Sequence, residues 1–123
     1  MGNSKHVEIL KKAWDALGRG AFDDLAAMYS EDMVFVLPGQ NDVLHGKTAF
    51  RQALDGIADV LPPGFDIKTL RYCLGEGEVA NIVEWTSTKI PEGTQSAILF
   101  RFDGDLIKEE RWFVDTEQWK AAF

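Results

Sequence analysis

Glu110 stands two residues before Trp112 in residues 95–115, QSAILFRFDGDLIKEERWFVD. Strand alternation puts those two side chains on one face. A carboxylate held among apolar groups loses solvation, which raises its pKa and suits it to general acid or base work near neutrality. Whether Glu110 meets that condition depends on the turn. Apolar runs on either side of Asp103-Gly104-Asp105 signal a hairpin. A three-residue loop with Gly104 in the left-handed conformation brings Glu110 and Trp112 beside Ile98, Phe100 and Phe102. A two-residue turn at Asp103-Gly104 brings Glu109 and Phe113 there instead, because a one-residue slip exchanges the faces. In that second register Glu110 is solvated and pairs across the strands with Arg101.

The other residues that could do chemistry are fewer and more scattered. His45 lies in a polar loop before Gly46, where a turn role outweighs a catalytic one, and His6 sits in a first helical turn as a solvated residue. Two histidines and one cysteine, far apart, have no metal-ligand spacing, so neither a metal nor another cofactor is expected. Cys73 falls inside an apolar strand pattern and is read as a packing residue. Asp23-Asp24 is charge at a helix start. Gly75-x-Gly77 lacks a third glycine and a following helix, so it is a turn, and no nucleophile elbow is present.

Aromatic residues carry more information. Trp14, Tyr29, Phe50, Phe65, Trp85, Phe100 and Trp112 all fall on stripes predicted to point inward. They either fill a core or line a cavity. Four tryptophans in so short a chain suit the cavity, since each indole is large and carries an N–H that needs a partner. Asn81 shares a face with Val83 and Trp85; it could orient a carbonyl or hydroxyl, or simply end a strand.

These residues must be positioned by a single domain, residues 1–123, long enough to bury roughly two-thirds of its unfolded surface. With 20 Asp and Glu against 13 Lys and Arg, the net charge of −7 argues against nonspecific nucleic-acid binding. No run approaches a membrane span and the N-terminus lacks the apolar core of a signal peptide, so a cytoplasmic location is expected.

Taken in order, Ser4 can cap a first helix with Val7, Leu10, Ala13, Trp14 and Leu17 as its stripe, ended by Gly18 and Gly20. A short second helix carries Phe22, Leu25, Met28 and Tyr29. Residues 33–37 read as a strand, 40–45 as a polar loop, and 48–58 as a third helix with Phe50, Leu54, Ile57 and Leu61 as its buried stripe. After Pro62-Pro63-Gly64 the pattern changes to strands at 65–74 and 79–89, followed by the hairpin. Asp115 and Gln118 have capping-box spacing for a last helical turn bearing Trp119 and Phe123. Helices first and an antiparallel meander afterwards make an α+β fold.

In that order of elements the chain resembles the nuclear transport factor 2-like superfamily and, within it, the SnoaL-like proteins. The phrases that carry the resemblance are AAMYSED, residues 26–32, running into VFVLPG, residues 34–39; Leu44-His45-Gly46-Lys47 before a helix; and FRFDGDLIKEERWFVDT, residues 100–116. The resemblance implies a cone-shaped fold, three N-terminal helices packed on a strongly curved, mostly antiparallel sheet, enclosing an apolar pocket. It also implies a dimer, and activities that range from ketosteroid isomerases, cyclases, dehydratases and epoxide hydrolases to binding proteins with no chemistry.

Family residues carry over poorly. Against the ketosteroid isomerase pattern of an Asp base with a Tyr and protonated-Asp oxyanion hole, the tyrosine falls at Ala13, the base at Leu37 and the protonated acid at Ile98. The Arg-x-Asp grouping of limonene epoxide hydrolases is absent at both Arg71 and Arg101, and neither histidine falls where a cyclase would use one. The expectation is therefore a small, largely apolar molecule in a conical pocket lined by Trp14, Tyr29, Phe50, Phe65, Asn81, Trp85, Phe100 and Trp112, with Glu110 as the proton carrier for isomerisation, cyclisation or dehydration. The alternative is a non-catalytic binding or dimeric assembly module. Leu99, Phe113 and Ile82 point away from the pocket, so a homodimer through the outer sheet face is expected.

Overall fold

The computed structural model describes residues 3–123. Its first helix, α1 (Asn3–Gly18), lays Leu10, Ala13 and Ala16 against the sheet, all of them buried. Because the helix already runs from Asn3, Ser4 lies within it, and the capping position falls outside the described residues. The other end is closed by a Schellman motif: Ala21 N–H donates to the Ala16 carbonyl at 2.9 Å and Gly20 N–H to that of Leu17 at 3.1 Å. That motif needs a left-handed residue, and Gly20 supplies it with φ 71°.

Next come α2 (Phe22–Ala26), β1 (Tyr29–Val36), β2 (Val43–His45), α3 (Lys47–Leu54) and α4 (Ile57–Val60). Two expectations change here. Tyr29 does not belong to the second helix; it is the first residue of β1. The single helix expected over 48–58 is two, because the chain breaks at Asp55-Gly56 and restarts as α4, which buries no residue. The remaining strands are β3 (Asp66–Gly75), β4 (Glu78–Thr86), β5 (Thr94–Asp103) and β6 (Leu106–Phe113), and the last helix is α5 (Thr116–Ala121). Asp115 caps α5, its Oδ1 accepting from the Glu117 and Gln118 backbone N–H groups at 3.0 and 3.1 Å. The Gln118 side chain does not close a capping box; it accepts from the Thr94 hydroxyl at 2.7 Å.

The strands form one curved, six-stranded sheet in the order β2-β1-β6-β5-β4-β3. All pairings are antiparallel except β1 with β6, which run parallel. Register shifts in β3 and β6 set which side chains of those strands face the helices, and β1 carries another between Tyr29 and Val34. In β3 the register shifts between Thr69 and Arg71, leaving Leu70 unpaired. Past that point Tyr72 pairs with Asn81 and turns inward, while Cys73 pairs with Ala80 and turns outward. Cys73 is accordingly exposed and not the packing residue that strict alternation implies.

In the hairpin, Asp103 pairs with Leu106, so the turn is the two-residue Gly104-Asp105, with Gly104 at φ 59°. Alone, that turn would bring Glu109 opposite Phe100. A bulge at Lys108 adds one residue to β6, and the pairs beyond it become Phe100 with Glu110 and Ile98 with Trp112.

The principal core lies between α1, α3 and the concave face, and includes Leu10, Met33, Val79, Val83, Ile98 and Ile107, each fully or almost fully buried. Each such side chain contributes on the order of 1.5–3 kcal/mol by its removal from water. A second cluster sits at the other end of the sheet, where Trp85, Ile90 and Ala122 pack with Phe65, Ile67 and Trp119. Among the described residues no helix is long and apolar enough to cross a membrane.

Candidate functional site

Glu110 is 5% exposed, and its carboxyl lines a cavity of about 110 Å³ between the helices and the sheet. Trp14 and Leu17 of α1 form one wall, Phe50, Leu54 and Ile57 of α3 and α4 another, and Phe100 and Trp112 the floor. Leu37, Leu44 and the exposed Val60 also border it. Tyr29 and Glu110 are the ionisable side chains of this lining.

Three side chains form the polar centre. Trp112 Nε1–H donates to Glu110 Oε2 at 2.7 Å, and the Tyr29 hydroxyl donates to Glu110 Oε1. The phenol ring of Tyr29 is fixed in turn by Phe50, with ring centroids 4.5 Å apart, and Phe50 stacks on Phe35 at 5.6 Å. Burial dominates the electrostatics. It pushes the Glu110 carboxyl up from 4.5 to about 7, against the two hydrogen bonds, which favour the charged form. Tyr29 is held well above its ordinary value of 10 by burial first and by the neighbouring carboxylate second, so it stays a neutral donor near pH 7.

Asn81, read as able to orient a carbonyl or hydroxyl, and the Tyr29 hydroxyl are both occupied by protein partners. Tyr29 serves Glu110. Asn81 is fully buried, and its Oδ1 accepts from the Trp14 indole N–H at 2.8 Å while its amide donates to Thr69 Oγ1 at 3.2 Å. Asn81 is not on the cavity wall; it holds a residue that is. Of the other residues read as ligand-binding, Trp14, Tyr29, Phe50, Phe100 and Trp112 border the cavity with Glu110. Trp85 and Phe65 do not. They stand in the second cluster under α5, ring centroids 5.8 Å apart, with the Trp85 indole donating to Ser96 Oγ at 3.1 Å. The face was right for these two and the end of the sheet was not.

Several wall residues were not singled out from sequence, among them Phe35, Leu37, Leu44 and Val60. Leu54 and Ile57 were legible as a helical stripe, but nothing in a stripe says that it borders space. Ala13 and Leu37, where the ketosteroid isomerase tyrosine and base would fall, do border the cavity, and Ile98 is buried in the core without bordering it. The polar centre thus occupies a different part of the wall. His45 is exposed at the end of β2. His6 is not simply solvated: its ring stacks on Phe102 at 4.0 Å and its Nε2 lies 2.9 Å from the Gly104 carbonyl oxygen. Among the described residues no group of three or more His, Cys, Asp or Glu is placed to hold a metal ion.

Among solved structures, the chain is similar to a protein assigned as a polyketide cyclase from Xanthomonas campestris pv. campestris. The two share 14% identity over 99% of this chain and 98% of that one, with a TM-score of 0.72. It is also similar to an LEH-like epoxide hydrolase from M. tuberculosis, at 16% identity over 97% and 89% of the two chains and a TM-score of 0.73. A de novo designed protein with a curved β-sheet reaches the same TM-score, at 16% identity over 99% and 94%. Likeness at such identities establishes the fold and leaves the reaction open. No curated protein sequence matches the chain. Residues 10–110, which run from the core face of α1 to Glu110 itself, match the SnoaL-like domain, and the chain belongs to that family.

Proposed function

We propose that the cavity binds a small, largely apolar molecule and that Glu110 carries a proton to or from it. One observation supports this above the others: a carboxyl on the wall of an apolar cavity, braced by Tyr29 and Trp112, with its pKa pushed up to about 7. Near neutral pH both of its forms are populated, so the same group can take a proton at one atom and return it at another. Isomerisation, cyclisation and dehydration each contain such a step. Trp14 and Trp112 shape the space, and Asn81 acts through Trp14. On the outer face Phe113, 41% exposed and paired with Ala97, supports assembly as a homodimer.

A second reading, binding or assembly without chemistry, is favoured by one specific feature. The side-chain donors on the wall, Tyr29 O–H, Trp112 N–H and Trp14 N–H, all serve protein acceptors, so none of them awaits a developing oxyanion.

The test has two stages. A panel of monocyclic ketones, alcohols and amines is screened for a rise in melting temperature and for quenching of tryptophan fluorescence. Probes that bind are then followed by proton NMR in heavy water. Exchange of C–H protons beside the functional group should be faster with wild type than with Glu110→Gln. Equal rates overturn the proton-carrier role and leave the binding module; no shift with any probe removes the ligand site altogether.

A further inference from the structure

The wall of this cavity has an unbalanced set of polar groups. Its side-chain acceptors are the Tyr29 hydroxyl oxygen and the Glu110 carboxyl, and the carboxyl oxygens keep lone pairs beyond those taken by Tyr29 and Trp112. Its side-chain donors are committed, Tyr29 and Trp112 to Glu110 and Trp14 to Asn81. Among the described residues no basic side chain lines it. The nearest guanidinium in sequence, Arg111, faces the other side of the sheet, where it pairs with Glu109 at 3.0 Å. Around the cavity stand the rings of Trp14, Tyr29, Phe35, Phe50, Phe100 and Trp112, of which Tyr29 and Trp112 touch the carboxyl. Two donors aimed at a buried carboxyl favour its charged form, yet the described residues supply no cation there to complete the pair.

We infer that the molecule this cavity takes is a small, monocyclic, lipophilic compound whose polar group is a protonated nitrogen, seated against Glu110 with its positive charge over the surrounding rings. The inference rests on the reading of the cavity as a ligand site. A cation supplies what the wall lacks, an N–H donor and a positive charge. Aromatic faces attract that charge more strongly when water is excluded. The size follows from the volume, since a closed apolar cavity of roughly 150 Å³ admits benzene. At about 110 Å³, with the exposed Val60 on its border, this one is no larger than that and limits the enclosed part of the molecule to a single ring.

A charged nitrogen also answers the missing oxyanion donor. Where the nitrogen is an iminium, loss of an adjacent C–H proton to the Glu110 carboxylate moves the C–H electron pair into a C=C bond. The C=N π pair moves onto nitrogen, leaving a neutral enamine. No oxyanion forms, so the protein needs no donor for one.

The test uses three probes of one shape, benzylamine, benzyl alcohol and toluene, titrated into wild-type protein at pH 8 by calorimetry and by tryptophan fluorescence. Benzylamine should bind about tenfold more tightly than either neutral probe, the lower end of what a charge-assisted hydrogen bond provides. Repeated at pH 7 in two buffers of different ionisation enthalpy, its binding should release protons, because the cation requires the ionised carboxyl. In Glu110→Gln the benzylamine-to-toluene affinity ratio should fall to near one. Benzyl alcohol or toluene binding as tightly as benzylamine to wild type overturns the inference and leaves the ligand site standing. A ratio that survives in Glu110→Gln overturns it too, since the charge would then not be the anchor. If none of the three binds, the ligand-site reading falls with it.

Discussion

Replacing Glu110 by glutamine should change how stability depends on pH, in a direction that burial dictates. The carboxyl sits at 4.5 when unperturbed and at about 7 in the folded chain. Between those values the folded state holds a proton that the unfolded state has released, so stability falls as pH rises. The group's stabilising effect is therefore complete below pH 4.5 and is lost as pH climbs through about 7. That interval, at about 1.4 kcal/mol per pH unit, corresponds to a loss of roughly 3 kcal/mol across the window. Glutamine keeps the shape and an acceptor for Tyr29 or Trp112, but it has no proton to release. Other carboxylates titrate in the same range, so the informative quantity is the difference between wild type and Glu110→Gln. Urea unfolding of both proteins at half-unit steps from pH 4.5 to 8 gives that difference. Wild type should lose about 3 kcal/mol relative to the variant across the series. A flat difference would refute the reasoning. A difference sloping the other way would mean that the hydrogen bonds from Tyr29 and Trp112 outweigh burial and hold the pKa below 4.5.

Four other substitutions test other parts of the structure. Asn81→Leu removes the acceptor of the Trp14 indole N–H and should cost about 1–3 kcal/mol, with a shift of the tryptophan emission maximum; unchanged emission would show that Asn81 does not fix that ring. Gly64→Ala should destabilise more than Gly20→Ala, both being at positive φ. A Cβ at Gly64 would lie 2.3 Å from Thr88 Oγ1, whereas one at Gly20 meets nothing within 4 Å. Thermal melts that rank the pair in the opposite order would reject the steric argument. Phe113→Lys should weaken homodimer formation in analytical ultracentrifugation, and a wild type that sediments as a monomer at tens of micromolar (about the scale of a weak interface) would count against the outer face as an interface.

The faces of the sheet were largely legible in the sequence, and the exceptions have one physical origin. Period-two alternation assigns faces only while a strand stays regular. Leu70 interrupts β3, which turns Cys73 outward. Lys108 interrupts β6 in the opposite sense. The expected face for Glu110 was reached, but the route was a two-residue turn at Gly104-Asp105 plus a bulge and not a three-residue loop. Neither bulge has a sequence marker: Leu70 and Lys108 are ordinary residues, with no glycine or proline at either site.

Position along a face is the second limit, and it decides what kind of site this is. Strand β4 has nine residues, about 30 Å at the usual rise per residue. Asn81, Val83 and Trp85 share its concave side, yet they serve different neighbourhoods. Asn81 reaches α1 through Trp14, and Trp85 packs under α5 with Trp119, ring centroids 5.2 Å apart. Periodicity sees one stripe where the fold makes two compartments. The aromatics of the compartment under α5 satisfy one another and Ser96. In the other, Tyr29 and Trp112 meet at a single carboxyl and the rings leave space beside it. A filled core and a cavity are thus built from the same residue types in one small sheet, and what separates them is whether a helix covers the face closely. The short α5 does so over Trp85. Over Glu110 the cover is α1 together with α3 and α4, and α4 contributes no buried residue. That looser cover leaves space beside Glu110 while the carboxyl itself stays buried, and a proton carrier must combine access with lost solvation.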